Sequence, residues 1–360
     1  MNRALPSAGE IWIHFKEKQY RIITMAEDAK TGESYVVYQA LYGSYGHYLR
    51  PLDMFMSEVD HQKYPDCQRT WRFEKLPNMC SWKPEFASQT NVQHTRKKGG
   101  QRFMFEKEII ELVRSTHDML TEEKNLEITA KGRANFVTQM DVAVQEYMRT
   151  QLQEIDRDVT LLSEEQDNSQ VMDPDGRYWI LDPIDGTQNF IRHFDMSAVS
   201  LAYYAQGTLQ AAVVYNPFTD ELFHATRGGG AFLNGKPIHV TGNGALSHCL
   251  VAIGTSPYDR QYTEKNFPLF QAMYSQCLDI RRTGSACLDL AYVATGRTDI
   301  YFERNLKPWD MAAGILLVEE AGGRVTTYDG QVPDVLHNEH IIATNGLVHD
   351  ETARIIHQYW

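Results

Sequence analysis

The sequence predicts an α+β protein in which a small β-rich domain precedes a larger domain of alternating helices and strands. Residues 1–76 contain short aromatic and β-branched runs, whereas residues 101–360 contain both helical and strand periods. Residues 77–100 keep neither period. A chain of 360 residues also fits two domains, at roughly 100–200 residues per domain. We therefore expect domains at 1–76 and 101–360.

The first domain is expected to begin with three strands. Ile11, Ile13 and Phe15 recur at every second position, and aromatic and β-branched residues cluster at 20–23 and 35–38. Turn signals separate or follow these runs, at 31–32 and 43–46. Aromatic rings interleaved with Arg and Lys can stack on nucleic acid bases. In so small a β module, we expect them to form the core instead.

A linker is predicted at 77–100 from composition. The segment contains Pro77, Pro84 and several Ser, Gln and Asn residues, and it ends in the basic run 94–100. Such a stretch has no apolar face to bury, which is typical of a linker. We expect the basic run to lie in solvent.

The larger domain is predicted to be layered. One helix face is expected at Val142, Val144, Tyr147, Met148 and Leu152. Further helices are predicted around 103–113, 288–295 and 311–320, and strands at 159–162, 178–181, 198–204 and 211–215. The Asn-Gly pair at 234–235, between two apolar runs, predicts a β-hairpin.

Charge and cysteine content exclude several classes of protein. The net charge is −12, but residues 1–100 carry 14 Lys+Arg against 11 Asp+Glu, so residues 101–360 carry 21 against 36. This acidic balance argues against nucleic acid as a partner of the larger domain. No run approaches the ~18 apolar residues of a membrane helix, and no signal peptide is evident. The five cysteines form no CxxC pair, so we expect a cytoplasmic protein without a disulfide framework or zinc site.

The segment 178–190 carries the most informative motif. An apolar strand ends in Asp182 and Asp185, which flank a proline, and Gly186-Thr187 then opens a helix. A turn at the proline would aim both carboxylates at one point, where they repel each other unless a cation lies between them. Oxygen ligands suit magnesium, and amides at a helix start suit phosphate. The alternative is an ordinary Asp-Pro turn followed by an N-cap threonine.

Two further acidic features strengthen the metal interpretation. Glu164-Glu165 ends another apolar strand, and Asp310 begins a long apolar helix. Taken singly, the first could be a solvated strand end and the second a charge that favours the helix dipole. Carboxylates stand at the ends of two strands and at the start of one helix. A shared site explains all three better than three unrelated causes do.

The larger domain resembles the inositol monophosphatase family of magnesium-dependent, lithium-sensitive phosphatases. Asp-Pro-Ile-Asp-Gly-Thr-Gln-Asn-Phe at 182–190 matches the first signature of that family, and Trp-Asp-Met-Ala-Ala-Gly at 309–314 matches the second. Glu-Ala-Gly-Gly at 320–323 continues the second signature, and Glu164-Glu165 stands where the family keeps its acidic pair. The resemblance covers about 101–360 and implies a layered α/β/α/β/α sandwich.

The resemblance implies a metal site with two or three Mg²⁺ ions. Glu164, Asp182 and the carbonyl of Ile184 would hold one ion, Asp182, Asp185 and Asp310 a second, and Glu164 would assist a weaker third. Asp141, Glu164 and Thr187 would be catalytic, with Asp141 and Thr187 orienting the attacking water. Such metal clamps supply much of the barrier reduction of on the order of 20 kcal/mol that phosphate monoesters require.

The resemblance also implies substrate contacts. The amides of Gly186 and Thr187 would bind the phosphate, Asp185 would also belong to the substrate-binding set, and the alcohol part would meet Gly284, Ser285, Ala286 and Glu303. A carboxylate at 303 would accept hydrogen bonds from a polyol and repel a second phosphate. Inositol 1-phosphate is therefore the expected substrate class. Histidinol phosphate, a nucleotide or sugar phosphate, and a non-catalytic regulatory scaffold are the alternatives.

Two positions depart from the family pattern. Ser163 replaces the usual glycine before the acidic pair, and Gly-Ser-Ala-Cys at 284–287 replaces the common Gly-Thr-Ala-Ala. No metal ligand is missing, which favours an active enzyme. The resemblance further implies a homodimer.

The first domain is similar to a small bacterial domain of unknown function, through the segments 9–12, 35–42 and 49–55. That similarity implies no specific activity, and it does not identify a partner. In the scaffold alternative, this domain would tether the protein to a partner such as RNA or the transcription machinery.

Overall fold

The structure of the protein, a computed structural model, describes most of the chain. The described residues are 5–7, 10–16, 18–27, 31–40, 47–59, 61, 63–64, 69–75, 106–122, 128–132, 135–168 and 172–360. They belong to two compact units, Met1–Arg96 and Lys97–Trp360. The predicted linker at 77–100, the predicted turn at 43–46, and Phe103 and Phe105 of a predicted helix lie outside the described residues.

The first unit contains one antiparallel sheet. Its elements are β1 Ile11–His14, β2 Lys18–Glu27, β3 Ser34–Ala40, β4 His47–Pro51, α1 Leu52–Phe55 and β5 Phe73–Lys75. The strands lie in the order β4-β3-β2-β1-β5. The predicted strands at 20–23 and 35–38 fall within β2 and β3, and β1 covers the first part of the predicted 11–15 run.

Aromatic rings form the core of this unit, as predicted. Trp12, Tyr20, Tyr38, Phe55 and Phe73 are all buried. The rings of Phe55 and Phe73 stack with centroids 4.1 Å apart, so the short α1 closes the face that the strands present. Burial of such rings contributes most of the stability that so small a sheet can have.

The second unit contains all the remaining elements. Its helices are α2 Glu106–Arg114, α3 His117–Thr121, α4 Gln139–Ile155, α5 Thr187–Ile191, α6 Thr263–Tyr274, α7 Ala286–Ala294, α8 Pro308–Glu320 and α9 His349–His357. Its strands are β6 Ile128–Gly132, β7 Asn135–Thr138, β8 Thr160–Ser163, β9 Tyr178–Asp185, β10 Ala198–Ala205, β11 Thr208–Asn216, β12 Glu221–Thr226, β13 Gly230–Leu233, β14 Lys236–Ile238, β15 Leu250–Ile253, β16 Asp279–Arg281, β17 Ile300–Leu306, β18 Arg324–Thr327 and β19 Glu339–Thr344.

Two large sheets, three helix layers and a separate two-stranded sheet of β6 and β7 make up the second unit. One sheet has the order β14-β13-β12-β11-β10-β9-β8, and the other has the order β16-β15-β17-β19-β18. Helices α2 and α4 pack on the outer face of the first sheet, α7 and α8 lie between the sheets, and α6 and α9 cover the second. Along β9, Trp179 and Leu181 face the outer helices while Ile180 faces the central pair. The predicted α/β/α/β/α sandwich is confirmed.

Local signals in the sequence had mixed success. Leu233 pairs with Lys236, and Asn234 and Gly235 have φ values of 48° and 74°, so the predicted Asn-Gly hairpin is confirmed. In α4, the predicted face is wrong at Val142, whose side chain is 47% exposed. At 100° per residue, Val142 points away from Val144, which is buried, and Met140 takes its place on the core face.

Within the described ranges, we find no helix whose length and apolar character would suffice to cross a lipid bilayer.

Candidate active site

The end of β9 brings two carboxylates to one side of the chain. Asp182 pairs with Ser200 and Asp185 pairs with Ala198 on β10, so three steps on β9 match two on its neighbour. This bulge replaces the turn that the proline predicted, because β9 continues through Asp185. In a regular strand, residues three apart point to opposite faces, and the extra residue restores a common side.

Asp310 completes a cluster with these two carboxylates. It lies in the first turn of α8, where one of its carboxylate oxygens accepts a 2.8 Å hydrogen bond from the Lys307 N–H. Asp182, Asp185 and Asp310 each offer an oxygen, and the three oxygens all lie within 4.8 Å of one another. Residues more than a hundred positions apart in the sequence thus converge on one point.

The electrostatics of this cluster favour a bound cation. Burial and then the charge of Asp185 raise the pKa of Asp310 to about 8. Burial, Glu164 and Asp185 raise the pKa of Asp182 in the same way. Carboxylates this close oppose each other's ionisation unless a positive charge compensates them. An oxygen-only set of this size fits a hard divalent ion such as Mg²⁺.

Glu164 and Ile184 lie beside the three carboxylates. Glu164 follows β8 and is partly buried. Among charged residues, it raises the pKa of Asp182 the most, although it does not belong to the close set of three carboxylates. The Ile184 N–H donates to Asp182 Oδ1 at 3.0 Å, which fixes that carboxylate. The Ile184 carbonyl accepts a hydrogen bond from Thr187 Oγ1 at 3.1 Å.

Thr187 also contacts Asp141. Thr187 Oγ1 lies 3.3 Å from Asp141 Oδ1, and both side chains are buried. Asp141 lies in the first turn of α4, where its other oxygen accepts hydrogen bonds of 2.7 Å from the N–H and the hydroxyl of Thr138. Burial raises the pKa of Asp141 to about 6, against the lowering effect of those bonds. Such a carboxylate can take up a proton near neutral pH.

Ser285 lines the pocket described below and also holds the carboxylate of Asp185. It is the N-cap of α7, and its hydroxyl donates to Asp185 Oδ2. The Cys287 N–H donates to the same oxygen at 2.8 Å. The expectation that Ser285 serves the alcohol part of a substrate omitted this bond, which links the loop at 284–287 to the acidic cluster.

A pocket of about 280 Å³ opens beside the cluster. Gly284, Ser285, Ala286 and Glu303 all line it, together with Asp185, Gly186 and Asp310. Glu303 accepts hydrogen bonds of 2.7 Å from the Ser256 N–H and from the Tyr301 hydroxyl. A Cβ at Gly254 would lie 1.9 Å from Glu303 Cδ, so only glycine lets this carboxylate lie against the backbone.

Sequence reasoning missed several charged residues of this pocket, among them Arg282 and Asp289. Arg282 lines both this pocket and an adjoining one, and its charge acts on Glu303. Asp289 is 2% exposed, and its Oδ1 has no hydrogen-bond partner within the described part of the chain. Asp289 could have been found from its spacing in the sequence. It lies one helical turn after Ser285 and therefore on the same side of α7.

Comparisons with known proteins identify relatives of both parts of the chain. The inositol monophosphatase family matches residues 104–360, and a family described as a protein of unknown function (DUF1653) matches residues 10–75. The inositol-1-monophosphatase of Rhizobium meliloti is 42% identical over 210 residues, which are 58% of this chain and 78% of that protein. The Nus factor SuhB of Escherichia coli is 42% identical over 205 residues, 57% of this chain and 76% of that protein.

A solved structure gives the same result. The crystal structure of an IMPase/NADP phosphatase complexed with Mg²⁺ and phosphate has a TM-score of 0.61 and 27% identity, covering 69% of this chain and 92% of that one. Both resemblances predicted from the sequence are confirmed.

Proposed function

Since the chain belongs to the inositol monophosphatase family, we propose that it is a Mg²⁺-dependent phosphomonoesterase. Its substrate would be a small polyol monophosphate, with inositol 1-phosphate as the expected compound. Hydrolysis would proceed by direct attack of water on the phosphate. The observation that carries the proposal is the acidic cluster of Asp182, Asp185 and Asp310, whose oxygens lie within 4.8 Å of one another. No covalent nucleophile is required.

The metal ligands in this proposal are Glu164, Asp182, the Ile184 carbonyl, Asp185 and Asp310. Bound Mg²⁺ would lower the pKa of a water and neutralise charge on the phosphate oxygens. The raised pKa values of Asp182 and Asp310 support a cation at this point, since a positive charge would offset both the burial and the repulsion that raise them. Ser285 and the Cys287 N–H would hold Asp185 in place through their hydrogen bonds.

The chain's own residues would position and deprotonate the water. The Thr187 hydroxyl can donate a hydrogen bond to Asp141 Oδ1, 3.3 Å away, or to the Ile184 carbonyl oxygen, 3.1 Å away. Its oxygen therefore keeps lone pairs that can accept a hydrogen bond from the attacking water. Asp141, whose pKa is about 6, would receive the proton through Thr187.

The pocket supports a small polar substrate. The phosphate would lie against the N–H groups of Gly186 and Thr187, and the alcohol part against Gly284, Ala286 and Glu303. Each Glu303 oxygen accepts one bond from the protein and keeps capacity to accept another from a substrate hydroxyl. Histidinol phosphate stays a candidate because the Glu303 carboxylate would suit its positive amine, and nucleotide and sugar phosphates stay candidates because Arg282 adds a cation to the same pocket.

A second candidate is a regulatory scaffold without turnover. It is favoured by the 42% identity to a relative that is named a Nus factor. The complete set of carboxylates supports catalysis instead.

The test is phosphate release from a panel of inositol, histidinol, sugar and nucleotide phosphates, with and without Mg²⁺. We expect turnover that requires Mg²⁺ and that Asp310→Asn reduces by at least a hundredfold. Asp350→Asn, an exposed aspartate paired with Arg324, is the matched control and should keep full activity. Folded protein that binds Mg²⁺ but turns over no compound would favour the scaffold.

A further inference from the structure

Strand β17 loses its regular pairing directly after Glu303. The register of β17 against β19 shifts between Glu303 and Leu306, where three steps on β17 match two on β19. Within this bulge, Asn305 has a positive φ of 57°. A bulge leaves an extra residue without a partner in the ladder. Contacts other than sheet pairing must therefore hold this end of β17 in place.

The side chains of Glu303 and Arg304 lie on opposite faces of this strand. Glu303 lines the proposed substrate pocket and accepts from the Tyr301 hydroxyl, on the side of α7 and α8. Arg304 Nε donates to Asn266 Oδ1 on α6 at 3.0 Å, and a second N–H donates to the Tyr359 carbonyl, after α9, at 2.8 Å. The guanidinium therefore lies on the face that α6 and α9 cover, as strand alternation requires.

Three aromatic rings enclose the Arg304 guanidinium. Its central carbon lies 4.8, 5.6 and 5.7 Å from the centres of the rings of Tyr328, Tyr262 and Trp360. Arg304 is 3% exposed. A cation beside ring faces is attracted to them, and the attraction is stronger where water is excluded. We call these three rings the arginine cage.

The His340 ring ties the arginine cage to the bulge. This ring lies 5.4 to 5.8 Å from each ring of the cage. Its Nδ1 accepts a 2.7 Å hydrogen bond from the Asn305 N–H. The backbone of the bulge and the side chain of Arg304 are thus held by the same group of rings.

The backbone of Arg304 also supports one wall of the pocket. Its carbonyl accepts a 2.7 Å hydrogen bond from the Ser256 hydroxyl, while the Ser256 N–H donates to Glu303 at 2.7 Å. Ser256 has a φ of 48°, a conformation that persists in a residue with a side chain only where its surroundings hold it. The following residues, Pro257 and Tyr258, line the pocket. A shift of Arg304 would move both Glu303 and this turn.

We propose that Arg304, fixed by the arginine cage, is a positioning residue for the alcohol part of the substrate, a role that rests on the proposed phosphatase function. It holds Glu303 and the turn 256–259 where they meet the substrate. The metal ligands lie on other elements, so the cage acts on the alcohol part and not on the hydrolytic step. Trp360 lines neither of the two pockets described above, so it acts through Arg304.

A purely structural role makes a different prediction. Loss of contacts in the cage could lower the stability of the second sheet and leave the pocket unchanged. Displacement of Glu303 weakens the binding of an alcohol part that carries hydroxyls. General destabilisation instead reduces the turnover of every phosphate ester alike.

The test compares inositol 1-phosphate with phenyl phosphate, whose ring carries no free hydroxyl, in steady-state kinetics with Mg²⁺. Trp360→Ala removes a ring that is 50% exposed, so we expect the protein to fold. The KM for inositol 1-phosphate should rise by about threefold or more, with kcat unchanged, and both constants for phenyl phosphate should stay within about twofold. Arg304→Met empties the cage and should raise the same KM by about tenfold or more.

Conservative and control variants accompany these two. Trp360→Phe keeps a ring in the cage and should restore the KM to within about twofold. Arg304→Lys keeps the cation but not the planar fork that serves both acceptors, so its KM should lie between those of Arg304→Met and the unchanged protein. Tyr274→Ala removes an exposed ring from α6 and should leave all constants unchanged. Thermal unfolding establishes that each variant is folded.

Trypsin reports on the pocket wall without any turnover. Arg260 is exposed and lies between the turn 256–259 and the cage residue Tyr262. Cleavage after Arg260 requires local opening of this segment. We expect Arg304→Met and Trp360→Ala to speed this cleavage by about threefold or more, as followed by mass spectrometry, and Tyr274→Ala to leave it unchanged.

Two kinetic outcomes would overturn the proposal. One is an equal change for both substrates in folded Trp360→Ala, which indicates a structural role alone. The other is an unchanged KM for inositol 1-phosphate in that variant and in folded Arg304→Met. If the unchanged protein hydrolyses neither compound, the phosphatase proposal fails by itself. The cleavage rates then decide whether Arg304 holds the pocket wall, and rates equal to that of the unchanged protein exclude it.

Discussion

The Thr187 hydroxyl lies 3.3 Å from Asp141 Oδ1, although the two residues are 46 positions apart in the sequence. The N-terminus of α4 therefore meets the N-terminus of α5 at the acidic cluster. This contact joins the proposed proton acceptor to the side chain that would orient the water.

Asp141→Asn tests this pair. Asparagine keeps an oxygen that can accept from the Thr138 N–H, so α4 stays capped, but it cannot accept a proton. We expect kcat to fall by about 10²- to 10⁴-fold with little change in melting temperature. Steady-state kinetics and thermal unfolding measure the two effects. Glu146→Gln, on the exposed side of the same helix, serves as the control, and an unchanged kcat for Asp141→Asn would exclude the proposed role.

Ser285→Ala tests the support of the metal site. Loss of the hydroxyl frees one side of Asp185, and partners of metal ligands of this kind are worth about 10- to 100-fold in metal affinity. We expect the Mg²⁺ concentration for half-maximal activity to rise by about tenfold or more. Ser285→Thr, which keeps the hydroxyl, should restore it. Equal Mg²⁺ activation curves for alanine and serine would contradict this assignment.

His349 predicts how stability depends on pH. Its ring is buried between the hydroxyls of Thr326 and Thr344, each 3.0 Å from a ring nitrogen, and burial lowers its pKa to about 4. In the unfolded chain the His349 ring binds a proton near pH 6.5, whereas in the folded chain the ring stays neutral down to about pH 4. The contribution of this group to the free energy of unfolding is therefore complete above pH 6.5 and is lost as the pH drops toward 4.

The change should be measurable by urea unfolding. Between pH 7 and pH 5, this group should cost the folded state about 2 kcal/mol. His349→Gln should lose that part of the pH dependence, whereas His337→Gln, at an exposed histidine, should keep it. Parallel pH profiles for the native protein and His349→Gln would show that another group is responsible.

Removal of residues 1–100 tests where catalysis resides. The proposed ligands and catalytic side chains lie between Asp141 and Asp310, in the second unit. We expect the 101–360 fragment to keep kcat and KM within about twofold of the full chain. Circular dichroism establishes that the fragment is folded, and a folded fragment without activity would place part of the machinery in the first unit.

The fold could be predicted from the sequence wherever local pattern decides it. The Asn234-Gly235 hairpin and the helix that begins at Thr187 follow from turn chemistry and glycine conformation. The predicted buried face of α4 was wrong at Val142, which is exposed. A single apolar residue on the solvent side of a helix alters the apolar pattern in the sequence without altering which side of the helix is buried.

The three carboxylates that the structure brings together could be predicted from the sequence, whereas their surroundings could not. The acidic motifs are contiguous in the sequence, so Asp182, Asp185 and Asp310 could be named in advance. The bulge in β9 depends on its pairing with β10, and the positions of Arg282 and Asp289 depend on how α7 meets β17. Such long-range contacts leave no local pattern to detect.

The order of the three clustered carboxylates along the chain has a consequence for biosynthesis. Asp182 and Asp185 emerge from the ribosome well before Asp310, which lies on the far side of β17. The three carboxylates therefore cannot meet until translation has passed α8. An ion held by all three carboxylates therefore cannot bind before the chain has been made as far as α8, whereas the groups proposed for the other ion, on Glu164, Asp182 and Ile184, all belong to an earlier part of the chain.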